Sequence, residues 1–132
     1  MDYAMTITLG LPYDQAVSRV KEAFKAQGFG TLTEIDVQAT LKDKLDADIE
    51  PYVILGACNP QLAHRALEVT RDVGLLLPCN VVVRERAAGS GVVVQALDAG
   101  IIAAVSDVAD LATIATEASR RIQAALDDLE SG

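Results

Sequence analysis

The sequence predicts a single α+β domain: one sheet of about five strands with helices packed on it, in the order β-α-β-α-β-α-β-β-α. Three observations predict it. The hydrophobic pattern switches in short blocks between the two-residue period of strands and the period of helices, with no repeat, low-complexity tract or linker between them. The chain has 132 residues, the commonest size for one domain. Apolar residues make up 51% and charged ones 23%, a balance that supplies a core and excludes disorder.

The elements follow in order. Tyr3, Met5, Ile7 and Leu9 alternate with Thr6 and Thr8, the pattern of a strand with one buried face. Pro12 ends that strand and opens a helix whose Ala16, Val17, Val20, Ala23 and Phe24 form one apolar stripe. Gly28 stands where a helix closes in a left-handed turn, and a Thr-rich strand runs from Phe29 to Ile35. Asp36 is placed to cap a short helix with Val37, Leu41 and Leu45 on one face, and Pro51 stops that segment. Tyr52 to Cys58 is a continuous apolar run, as in a central strand covered on both sides.

Asn59-Pro60 supplies an N-cap and a proline at the first helical position, ahead of a helix that turns Leu62, Ala63, Ala66 and Leu67 inward. Leu75-Leu76-Leu77-Pro78 reads equally as strand edge or bend, because proline donates nothing to a ladder. Val81–Val83 and Val92–Leu97 are the arms of a hairpin across a polar turn from Arg84 to Gly91. Ile101 to Val105 fits a short helix or an extended segment. Val108, Leu111, Ala112, Ala115, Ala118, Ile122, Ala125, Leu126 and Leu129 then define a long amphipathic helix, with Ser106 or Asp107 as its cap. Its end carries Asp127, Asp128 and Glu130, the wrong sign for a helix C-terminus, so that end is expected to fray.

Charge excludes some functions. With 11 basic against 19 acidic side chains, the net charge is −8, and Lys and Arg form no cluster. Neither nucleic acid nor an anionic membrane surface is an expected partner. No uncharged stretch approaches the length of a membrane span. The opening Met1-Asp2-Tyr3-Ala4-Met5 lacks the basic start and apolar core of a signal peptide, so a cytoplasmic location with reduced cysteines is expected. A mean hydropathy of +0.27 is high for a chain this small, which together with the valine-rich strands predicts a homodimer.

Few residues carry candidate chemistry. Cys58-Asn59-Pro60 and Pro78-Cys79-Asn80 each set a cysteine beside a proline and an asparagine at a strand boundary. The expectation is that the two thiols meet at one end of the sheet, with Pro78 bending the chain to bring them together. Cys58 precedes a helix start, where the dipole favours a thiolate; the alternative is that both are small buried hydrophobes. A closed zinc site needs four ligands, and the only soft or imidazole donors are Cys58, Cys79 and His64. Two thiolates would suit monovalent copper, but no tight CxxC pair is present, and no metal site is predicted. A lone helical histidine such as His64 is usually a surface residue. Glu34 and Asp36 resemble a carboxylate pair for acid–base work, although capping explains Asp36 better. Gly28-Phe29-Gly30 opens no helix and is not a phosphate loop, and no Ser-His-Asp grouping or cofactor motif is present. The candidate ligand-binding residues are therefore Cys58, Asn59, Cys79, Asn80 and Glu34, with the cofactor unknown.

The segments Leu32–Val37, Ile54–Pro60 and Leu76–Val81 together resemble the prokaryotic family known as domain of unknown function 302. The resemblance runs over essentially the whole chain, is most specific at the two cysteine segments, and includes Glu34, Cys58, Asn59, Pro60, Pro78, Cys79 and Asn80. It implies a small α+β domain, commonly dimeric, with no activity to carry over. Its occasional fusion to redox or sulfur-related domains keeps the thiols in view. Asp46 stands where that family tends to have glycine. Three readings follow: a module binding a small ligand, metal or sulfur species near Cys58 and Cys79; a dimeric interaction domain with packed cysteines; or a cysteine-dependent enzyme. A depressed thiol pKa would favour the first or third, and inert thiols the second.

Overall fold

A computed structural model describes residues 2–87 and 90–132. Its strands are β1 (Ala4–Leu9), β2 (Gly30–Asp36), β3 (Tyr52–Cys58), β4 (Cys79–Glu85) and β5 (Val92–Leu97). Its helices are α1 (Tyr13–Ala26), α2 (Val37–Leu45), α3 (Pro60–Val69), α4 (Gly100–Ser106) and α5 (Ala112–Ser131). The strands form one five-stranded antiparallel sheet in the order β1-β5-β4-β3-β2, the α+β architecture expected. Residues 88–89, in the expected polar turn between β4 and β5, lie outside the described residues.

Strand alternation builds the core. Ile7, Leu9, Val53, Leu55, Ala57, Val81, Val83, Val92, Val94 and Ala96 are buried on one face. They pack with Ala16, Val20 and Phe24 of α1 and with Ile122 and Leu126 of α5. Each fully buried Val, Leu or Ile contributes roughly 1.5–3 kcal/mol. The other face is different. Register sets Ile35, Ile54, Val82, Gln95 and Thr6 in one row across all five strands, and Tyr52, Arg84, Val93 and Thr8 in the next. Tyr52 and Ile54 are only half-buried, so β3 is covered on one side within the chain and not on both.

Several boundaries differ from expectation for local reasons. The Leu75–Leu77 stretch belongs mostly to a 3-10 helix, Arg71–Leu76, opened by Thr70, whose hydroxyl accepts from the Asp72 N–H. Ile101–Val105 lies within the short helix α4. Asp107 takes a left-handed conformation (φ 56°) that ends α4 rather than capping the long helix, which starts at Ala112 without a side-chain cap. That helix runs to Ser131 at its acidic end, where the Arg19 guanidinium of α1 lies against Gly132. A cation there opposes the negative helix end.

Candidate site at the Cys79 end of the sheet

Ala57 of β3 stands directly opposite Cys79 of β4, and Cys58 is the next residue along, opposite Gly30 of β2. Antiparallel neighbours always bring the end of one strand beside the start of the next. The expected bend at Pro78 is therefore not what joins the two cysteines; the ladder itself does so. Diagonal neighbours in such a ladder have Cα atoms roughly 6 Å apart, within the ~7 Å reach of a disulfide. Side chains alternate along a strand, however: Cys79 shares the core face with Ala57, and Cys58 follows on the opposite side. Both thiols are free.

Electrostatics hold the thiols neutral. Burial, with a smaller contribution from neighbouring Cys58, pushes Cys79 up to about 11. Burial also raises Cys58. That direction is opposite to the lowering that a helix start after Cys58 would favour. Both residues border a partly open apolar cavity of about 40 Å³ between the sheet end, α3 and α5, lined also by Phe29, Val73, Leu111 and Ile114.

Asn59 is buried, and its Oδ1 accepts from the Leu62 N–H at 3.1 Å, capping α3 ahead of Pro60. Its amide packs against Gly28, whose φ of 86° favours glycine; a Cβ there would lie 2.8 Å from Asn59 Nδ2. Arg121 reaches the same spot from α5 and is paired with Glu117 at 3.0 Å.

The remaining candidates stand apart. Asn80 is exposed, opposite Gly56, on the sheet face away from the core. Glu34 sits opposite Leu55, and its Oε2 accepts from Lys21 Nζ at 2.9 Å. Three residues of strand, roughly 10 Å, separate it from the level of Cys58. Asp36 caps α2 by accepting from the Ala39 N–H at 2.9 Å, so Glu34 and Asp36 are not a free carboxylate pair. The two acids do share a neighbour: burial first, then Asp36, Asp14, Glu34 and Glu85, push the Tyr13 phenol up to about 12. His64 is a surface residue, 3.3 Å from Glu68 on the same helix. Among the described residues no group of three or more His, Cys, Asp or Glu converges to hold a metal, and no helix is long and apolar enough to cross a membrane.

Cys58, Asn59 and Cys79 thus gather at one end, and Asn80 and Glu34 do not join them. The sequence reading does not single out Val73 or Ile114 and places Leu111 only in the apolar stripe of the last helix, since an apolar lining residue reads like any other core residue. The signal that was available is Gly28, the turn against which Asn59 closes.

Residues 5–129 match the family model "Domain of unknown function DUF302". A crystal structure of an uncharacterised conserved DUF302 protein from Bacillus stearothermophilus is similar at a TM-score of 0.87 and 30% sequence identity, over 96% of this chain and 98% of that one. Among curated proteins no match is found.

Proposed function

The chain belongs to the DUF302 family, and from that premise we propose that it acts as a homodimeric interaction domain, with a second copy covering the open sheet face and the β2–α2 edge. One observation carries this reading: the sixteen residues Gly30–Leu45 fold into a strand and a helix without one fully buried side chain. Leu32, Ile35 and Leu45 are exposed at 67%, 48% and 71%. An isolated helix this short is marginal in water, and most helical stability comes from packing an apolar face. α2 packs chiefly against β2 and β3, and the row Ile35, Ile54, Val82 continues its apolar surface across the sheet.

The size fits a second copy. Five strands about 4.8 Å apart and six or seven residues long outline roughly 500 Å², and α2 extends that surface; a stable dimer covers about 800 Å² of accessible surface per partner. An isologous two-fold arrangement needs only this one patch. The neutral thiols support packed cysteines over a metal centre or thiolate nucleophile. A reducing, cytoplasmic setting suits two unpaired thiols, and the acidic surface suits neither nucleic acid nor an anionic membrane.

Sedimentation equilibrium at micromolar concentration tests the proposal. The expected mass is near twice the 13.9 kDa of one chain. A double substitution, Ile35→Glu with Val82→Glu, reduces it to a single chain with the far-ultraviolet circular dichroism retained. A wild-type protein that sediments as a single chain contradicts it.

A further inference from the structure

We infer that the cavity at the Cys79 end of the sheet is a binding site for a neutral, apolar molecule of at most about three heavy atoms, of the class of dissolved gases.

Size sets the upper bound. A water-sized probe needs about 10–15 Å³, and an engineered cavity of about 150 Å³ in another protein holds benzene. At about 40 Å³ this cavity lies between the two.

Chemistry sets the class. Phe29, Leu62, Val73, Leu111 and Ile114 offer no hydrogen bond. Among the described residues no fully buried side-chain nitrogen or oxygen lacks a partner, and the amide on the lining, Asn59, commits its Oδ1 to the Leu62 N–H. A bound water needs two to four polar partners, and this predominantly apolar lining offers few. An ion entering the cavity loses its hydration and gains no counter-charge, since the Cys79 thiol is buried and neutral. A neutral S–H is soft and polarisable, which adds dispersion contact with a polarisable guest.

The sequence maintains the space. Ala63 and Ala66 on α3 and Ala115 and Ala118 on α5 border the cavity, where any larger apolar residue would fill it. Among its lining residues Cys58, Leu77 and Pro78 are only half-buried.

The test is methyl-detected nuclear magnetic resonance of the full chain under increasing xenon pressure. Saturable shifts confined to Leu62, Val73, Leu111 and Ile114 are expected, and lost when Ala118→Leu fills the cavity. Ala63→Val, a milder change at a half-buried position, should reduce the shifts if Ala118→Leu fails to fold. Shifts that are absent, that never saturate, or that survive both substitutions overturn the proposal. So do lining shifts produced by thiocyanate or by monovalent copper, because either would show that the cavity accepts an ion.

Discussion

Titrating Cys79 against a thiol alkylating reagent exposes how far burial controls the cysteines. Its thiol is 6% exposed and pushed from 9.0 to about 11. At about pH 8 a two-unit rise lowers the thiolate fraction roughly 100-fold. A more basic thiolate is the better nucleophile, which returns a factor of about 6–10. The net effect is a rate at least roughly tenfold below that of the same peptide unfolded in denaturant, before restricted access slows it further. The same shift links to stability. A folded pKa above the unfolded one means full stability below pH 9.0, lost as pH rises toward 11; two units correspond to about 3 kcal/mol. Iodoacetamide labelling followed by peptide mass spectrometry gives the rate at each pH. The expected profile is still climbing beyond pH 9.0, where the unfolded peptide levels off. A native profile that levels off with the peptide, at the peptide's rate, refutes the reasoning.

Other perturbations test the surrounding frame. Gly56→Ala drives a Cβ into Thr33 Oγ1 and to 2.9 Å from Pro78 Cγ, and such overpacking lowers stability to urea by about 1–3 kcal/mol; no change in the midpoint would contradict that packing. Asn59→Ala removes the cap of α3 and costs about 1–2 kcal/mol in thermal unfolding, with Asn59→Asp expected to keep most of the loss from appearing. Spectrophotometric titration should show a phenol transition near pH 12 that Tyr13→Phe abolishes. The sign follows from the raised value: the stability that Tyr13 contributes is present below pH 10.0 and declines as pH rises toward 12.

Local chemistry made much of the fold legible. Apolar runs marked β3, β4 and β5, Asp36 and Asn59 announced the caps they form, and Gly28 announced its left-handed turn. Tertiary context decided the rest. The acidic end of α5 looked unstable on its own charges because Arg19 comes from a distant helix. Glu34 looked available for chemistry because its partner Lys21 lies on α1, across a turn. The Cys79–Asn80 pair was read as one cluster, whereas adjacent strand residues face opposite sides, a constraint already present in the sequence. The exposed β2–α2 edge could not be read at all, since Leu41 and Leu45 follow the same helical spacing whether the face is buried or bare.

Amide hydrogen exchange across α2, followed as a function of protein concentration, tests the interaction-domain account most directly. If a second copy covers this edge, Val37–Leu45 should gain protection of about tenfold or more as concentration rises through the dimer equilibrium, while buried β4 stays unchanged. Exchange in α2 that is rapid and independent of concentration would contradict the account, because a helix with no fully buried side chain within the chain would then gain no cover in the dimer either.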